Sequence, residues 1–394
     1  MKRKVALLCL FSLALAALSG CWSSREINEL AFIMGIAIDA GEAEGEFEIT
    51  LQVANPGAIN SSGESGSHDG EGSSAFINLS ETGFGLEMPI AALALQCDRK
   101  LYSGHNQVIV ISREVAERDI APIIDFFVRN TDGRLTVSLF IAEGRAKDIL
   151  SVTSALERLP AMHLKSLANS QRSFGEASEA TMMGIVSSMQ SQTSSAIIPL
   201  VHILETETGE SRLALGGVAA FQNGKICMIL PDEMARNVLS IKEKSTGEYF
   251  RLHALGGISV LKITASNVSL SAHFFEDKSL DKTTVTLHYD VSIVETSFTA
   301  DILAQQTRNA LALAAADYIE AEMQITLDYT KAHSADVFGF GEFLRRNHPK
   351  EAAHLLSDWH KAYPQLNVEF NVSVEILSSG SLTQSITATP HPQN

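Results

Sequence analysis

The stretch Val368-Glu369-Phe370-Asn371-Val372-Ser373-Val374-Glu375-Ile376 alternates apolar and polar residues without a break. Successive side chains of a strand point to opposite faces, so this stretch predicts a strand with one face buried and one in water. Upstream, Val285, Leu287, Tyr289, Val291 and Ile293 share the face of another strand, and residues 268–275 alternate before a turn at 276–282. Two helices are expected between these strands and the last one. The first runs from Asp301 to about Leu327, rich in alanine, with Leu303, Ala310, Leu313, Ala314 and Tyr318 near helical spacing. The second opens at Pro349 and stops before Pro364. The order strand, strand, helix, helix, strand implies an antiparallel sheet with helices packed on one face, an α+β arrangement.

Toward the N-terminus the pattern changes. Apolar runs at 213–221 and 225–230 flank Gln222-Asn223-Gly224, and Asn-Gly between such runs predicts a hairpin. Pro231 and Asp232 then open a helix through Leu239, since proline suits the first turn and an acid there opposes the helix dipole. Strand and helix signals alternate further back: a buried strand at 108–111, a helix at 121–129, an alternating strand at 135–141, a short helix from Ala146, and a partly helical region at 157–189. Residues 32–38 form a nearly all-apolar run ending at Asp39; periodicity alone admits a helix segment there, but a buried strand is expected. Residues 47–53 alternate, and the two pair across a turn at 40–46. The Gly-, Ser- and Asp-rich residues 56–74 predict a solvated, flexible loop, with His68 alone in it. The small polar run at 190–196 marks an expected boundary. The organisation that follows is a mixed α/β, multi-domain chain: an N-terminal α/β domain at 22–196, a middle α/β domain at 197–265 and a C-terminal α+β domain at 266–390, with the alternative that the last two form one unit and with approximate boundaries. The polar tail after Leu382 is expected to fray.

The first 21 residues are of a different kind. Lys2, Arg3 and Lys4 precede an apolar run from 5 to 18, broken by Cys9 and Ser12, and Leu18-Ser19-Gly20-Cys21 closes it. A basic start, a short apolar core and small residues at the end read as a secretory leader. As a helix the run reaches only about 21 Å, short of a hydrocarbon core of about 30 Å. Leu-Ser-Gly-Cys resembles a bacterial lipobox, which implies cleavage before Cys21 and diacylglycerol on its sulfur. An ordinary leader with an incidental cysteine is the plainer alternative. Two acyl chains anchor stably where one does not, so a soluble body tethered to membrane lipid is expected.

Removing the leader leaves 27 basic against 46 acidic residues, a net charge of about −19. Such a body is repelled by phosphates, which speaks against nucleic acid as a partner. With Cys21 lipidated, Cys97 and Cys227 remain, as a disulfide or as two buried thiols.

Motifs of catalysis are missing. There is no G-x-S-x-G, no H-E-x-x-H and no phosphate-binding G-x-x-x-x-G-K-[ST], since Ile226 follows Gly224-Lys225. His348, His354 and His360 recur every six residues, a spacing that spreads rings around a helix instead of gathering them for a metal. No catalytic residue, cofactor or metal is expected. His105, just before the strand at 108–111, suits a structural hydrogen bond better than a partner contact.

Six segments in order carry a resemblance over almost the whole mature chain. They are Gly20-Cys21-Trp22 with Arg25-Glu26-Ile27-Asn28-Glu29-Leu30-Ala31; Gly35-Ile36-Ala37-Ile38-Asp39; Arg99-Lys100-Leu101-Tyr102-Ser103-Gly104-His105; Asp125-Phe126-Phe127-Val128-Arg129; Gly144-Arg145-Ala146-Lys147-Asp148-Ile149-Leu150; and Asp336-Val337-Phe338-Gly339-Phe340-Gly341, followed by Trp359. Behind a lipobox, this order resembles the C-subunit family of spore germinant receptors. Ser23, Ser24 and Ser103 depart from the family pattern. The resemblance implies a non-enzymatic lipoprotein with distinct α/β domains in an elongated arrangement. It would sit on the outer leaflet of the inner spore membrane, beside two integral-membrane subunits, in a complex that senses small nutrients and starts germination. It also implies that Arg25 and Glu26 either touch a membrane subunit or belong to a solvated linker, and that Gly339 and Gly341 permit a tight turn while Phe338 and Phe340 pack. Two other readings compete: a solute-binding lipoprotein of a transporter, and a lipid-anchored hydrolase.

Overall fold

The computed structural model describes residues 3–4, 29–55, 57, 74–130, 133–172, 178, 180–242, 246–298, 300–302 and 304–378. The leader apart from residues 3–4, Cys21, Trp22, Arg25, Glu26, Leu303, the tail after Leu382 and the loop at 56–74, except residues 57 and 74, lie outside them.

Two sheets organise the chain. β1 (Leu30–Ala40), β2 (Glu46–Ala54) and β3 (Phe76–Phe84) form an antiparallel meander in which Ile38 faces Ile49. After α1 (Glu87–Gln96), the short β4 (Lys100–Tyr102) and then β5 (Val108–Ser112) run parallel to β1. Helices α2 (Arg113–Arg118) and α3 (Ala121–Arg129) lead to β6 (Ser138–Ala142). Next come α4 (Ala146–Ile149), α5 (Pro160–Arg172) and α6 (Met182–Gln190). β7 (Ala196–Glu205) joins β6 in parallel, and β8 (Ser211–Gln222) and β9 (Lys225–Leu230) follow by hairpins. The resulting order is β3-β2-β1-β5-β6-β7-β8-β9, with β4 beside β1.

The centre of this sheet is buried on both faces. Ile109 and Ile111 pack with α2, α3 and α6, while Val108 and Val110 pack on the other side with α4 and α5. That is why β5 and β6 are apolar at consecutive positions. It also corrects the alternating strand expected at 135–141: the strand begins at Ser138, all five of its residues are buried, and Leu135 stands outside and exposed.

The second sheet holds β10 (Tyr249–Ala254), β11 (Gly257–Phe274), β12 (Leu280–Thr296) and β13 (Val368–Ser378), reached through α7 (Asp232–Lys242) and α8 (Gln305–Ala332). It is rich in antiparallel pairs, with helices on one face, but β13 runs parallel to β12. A strand reached through a helical crossover returns in the direction of its predecessor. The single helix expected at 349–363 is instead α9 (Phe340–Asn347), the one-turn helices α10 (Ala353–Leu356) and α11 (Trp359–Ala362), and a 3₁₀ turn at Tyr363–Gln365. The helix begins earlier because a buried carboxylate caps it at Gly339, as described below. On α8 the buried stripe is Leu311, Ala315, Ile319, Met323 and Leu327, whereas Leu313 and Tyr318, expected inside, are exposed. Alanine on several sides of this helix leaves its apolar face poorly marked.

The separate middle unit expected at 197–265 is divided between the two sheets. β7 to β9 continue the first sheet, and β11 runs unbroken through 265–266. The polar residues 190–196 are the tight passage from α6 into β7, not a linker. One core joins the sheets: Val218, Ala220, Met228 and Leu230 pack with Leu261, Leu287, Leu311 and Phe340.

Candidate functional site

Several of the segments quoted for their resemblance meet in three compact clusters. In the first, β4 pairs with β1 so that Tyr102 stands opposite Phe32. Their rings meet edge to face with centroids 6.1 Å apart, and His105 closes the group at 5.2 Å from Phe32 and 5.9 Å from Tyr102. Gly104 lies beneath the Tyr102 ring, where a Cβ would come within 2.4 Å of the phenol oxygen. His105 is exposed and serves by ring packing; the hydrogen bond at this residue goes from Gln107 Nε2 to its carbonyl, 2.8 Å. Arg99 is exposed just before β4.

In the second cluster two segments distant in sequence meet. Asp39, buried at the end of β1, accepts the amide protons of Ala146 (2.7 Å) and Lys147 (2.9 Å) and so caps α4. Burial pushes its carboxyl up, while these two amides and the Arg145 guanidinium pull it back. Glu48, on the neighbouring strand, pairs with Arg145 and with Lys147 Nζ.

The third cluster surrounds Asp336, which is buried and accepts four hydrogen bonds. The amides of Gly339 (2.7 Å) and Phe340 (3.2 Å) donate to Oδ1; the amide of Gly341 (2.7 Å) and the indole N–H of Trp359 (3.1 Å) donate to Oδ2. Gly339 has φ +86°, a left-handed conformation that admits glycine without strain and lets the chain fold back over the carboxylate. Phe338 and Phe340 stack at 5.4 Å, and Phe340 leads on to Tyr363 at 6.4 Å. Gly341 is squeezed between Trp359 and Thr193: a Cβ there would come within 2.6 Å of both the Trp359 ring and the Thr193 carbonyl. The Ser195 amide donates to the Asp336 carbonyl at 3.0 Å. The cluster therefore fastens the second sheet to the passage that enters β7 of the first. Burial pushes the Asp336 carboxyl up, against the pull of its three backbone donors.

Asp39 and Asp336 stood inside segments quoted for their resemblance, yet sequence reasoning assigned them no role. The available signal was a single acid ending or opening an apolar run, which burial must satisfy with hydrogen bonds. Of the three histidines spaced by six, His348 packs on Phe274 and Phe343, His354 is exposed on α10, and His360 bonds Gln222. They lie on separate pieces, not on one face. His288, Asp290 and Glu375 approach within 4.8 Å on the exposed face of the second sheet. There the His288 ring already bonds Ser373 (2.9 Å) through one nitrogen and Asp290 (3.3 Å) through the other. Cys97 and Cys227 are free thiols, and burial pushes Cys227 up to about 11. No helix among the described residues is long and apolar enough to cross a membrane.

Comparison with known proteins places the chain in a family. The model described as "Spore germination protein N-terminal domain" matches residues 23–203, and that described as "Spore germination B3/GerAC like, C-terminal" matches residues 216–380. Spore germination protein YndF of Bacillus subtilis (strain 168) is 25% identical over 427 residues, covering 97% of this chain and 98% of that protein. Spore germination protein KC of the same organism is 22% identical over 400 residues, covering 96% and 97%. The crystal structure of the GerBC protein shares the fold, with a TM-score of 0.52, 15% identity, and coverage of 89% of this chain and all of that one. With both halves matched in order and relatives aligned over nearly their full length, the chain belongs to the GerAC family of spore germination proteins.

Proposed function

We propose that the chain is the lipid-anchored C-subunit of a nutrient germinant receptor. In this reading the leader is cleaved before Cys21, diacylglycerol on that cysteine holds the body on the outer leaflet of the inner spore membrane, and two integral-membrane subunits are its partners. It supports assembly of the complex and response to small nutrients, with no catalytic step of its own. The observation that carries the reading is the family match, which begins at residue 23, two residues past Cys21. The distance fits as well. β1 starts at Leu30, and nine residues span at most about 30 Å when extended. A body on so short a leash meets membrane partners at high effective concentration.

Spores carrying Cys21→Ala test this. Expected are loss of the protein from the membrane fraction, loss of co-purifying membrane subunits, and a collapse of the nutrient response. Release of the protein with germination unchanged would overturn the reading.

A further inference from the structure

The segment from Cys21 enters the body at one pole of the first sheet. β1 begins there at Leu30, nine residues from Cys21, and Lys100 of β4 lies beside it. Gln96, the last residue of α1, stands four residues before Lys100, a reach of at most about 14 Å. β5 and β6 run parallel to β1 and so open toward the same pole. One cavity of about 140 Å³ gathers Ile90 of α1, Leu101 of β4, Phe127 of α3, Arg134 and Met182 of α6, so these elements meet beside β4. Around them apolar side chains are left in water: Leu95 is 90% exposed, and Val128, Leu135 and Met183 are exposed as well. The pole is also basic. Arg99, Lys100 and Arg134 are exposed and have no ion-pair partner among the described residues. Only Glu29 and Asp98 stand beside them in sequence, in a chain whose net charge is −16.

We propose that this pole rests on an anionic bilayer surface, with Leu95, Val128, Leu135 and Met183 among the head groups and Arg99, Lys100 and Arg134 against lipid phosphates. The orientation rests on the lipid anchor proposed above, and adds to it which face of the body meets the membrane. The leash favours this occupant. Nine extended residues span at most about 30 Å, so Leu30 stays that close to the lipid on Cys21, while β1 carries Ala40 roughly 33 Å farther along the strand. Charge favours it as well. Lysine and arginine stems lie along apolar surface while their heads reach phosphates. A body that is acidic elsewhere is repelled by an anionic surface, so the basic pole is the side it can turn to the lipid.

The test reads orientation on the lipidated mature chain, held on vesicles of phosphatidylcholine with or without phosphatidylglycerol and with a trace of lipid carrying a head-group nitroxide. Leu95→Cys and Glu44→Cys, each in a Cys97→Ser and Cys227→Ser background, take a fluorescent label; Glu44 is exposed in the turn after β1, at the opposite pole. Vesicles with phosphatidylglycerol should quench the label at 95 roughly threefold or more over the label at 44. Arg99→Gln, Lys100→Gln and Arg134→Gln together should remove most of that difference, and so should omission of phosphatidylglycerol, while the lipid on Cys21 keeps the protein attached. Equal quenching at 95 and 44 in an attached, lipidated chain overturns the orientation and leaves the anchor standing. A difference untouched by the three substitutions overturns the part given to the anionic surface. A mature chain without lipid on Cys21 overturns the anchor, and the orientation with it. A label at 95 that lipid never quenches, and that only co-purified membrane subunits shield, assigns the pole to a protein partner and overturns the proposal.

Discussion

At the scale of single residues, the buried carboxylates decide most. Asp336 holds four donors in the core, so Asp336→Asn turns an amide nitrogen toward N–H groups that need an acceptor, at roughly 1–3 kcal/mol for each one unmet. The pH dependence follows from the direction of the shift. Burial raises the folded carboxyl above its ordinary 3.8, so folding takes up a proton in the window above that value. The stability this group contributes is fully present below pH 3.8 and is lost as pH rises through the folded value. The deficit of Asp336→Asn relative to the wild type should therefore be largest at the acidic end and shrink as pH rises, measured by urea midpoints from pH 4 to 8. A deficit that grows with pH would mean that the carboxyl is held down instead. These roles were nearly invisible in the sequence. An aspartate at the end of an apolar run reads as a turn residue, and only the fold shows which amides converge on it.

At the scale of elements, alternation was legible wherever one face is dry. β12 and β13 were readable residue by residue, and so was the hairpin at Asn223-Gly224, where both residues have positive φ; β2 was found by its alternation, but its polar Thr50 and Gln52, expected in water, are buried. Elements without that contrast were not. β3 is short of apolar residues on any one face, β10 alternates over only six residues, and α1 is apolar nearly all round, so none of the three was anticipated. The parallel direction of β13 is written in its connection through α8, which spans about 42 Å, and not in the strand itself. On α8 the misread face gives a paired test. Leu311→Ala, at a fully buried position, should cost about 2–5 kcal/mol, while Leu313→Ala, at a position 65% exposed, should stay within about 0.5 kcal/mol. Thermal unfolding of the two variants checks this, and equal losses would put the helix in a different rotation.

At the scale of the whole molecule, the sequence suggested three units and the sheets make two that share a core. The outer strands of the first sheet, β8 and β9, turn Ala219 and Phe221 toward one layer and Val218 and Ala220 toward the core of the second sheet. Separate melting of the two halves is therefore not expected. Calorimetry of the full chain should give a single transition whose calorimetric and van't Hoff enthalpies agree, and two resolved peaks would show that the shared core is too weak to couple them. The strand order has a consequence in time as well. β1 lies inside the first sheet, between β2 and β5, yet the far side of that sheet is supplied by residues 196–230. About 200 residues separate the first strand from the last, and ribosomes add about 5–20 residues per second, so although β1 gains β2 and β5 early, the sheet as a whole is complete only roughly 10–40 s after its first strand is made. Throughout that interval the free edge of the growing sheet, on β5 and then on β6, is open to wrong partners, which makes the unfinished chain, more than the finished protein, the form that needs a chaperone.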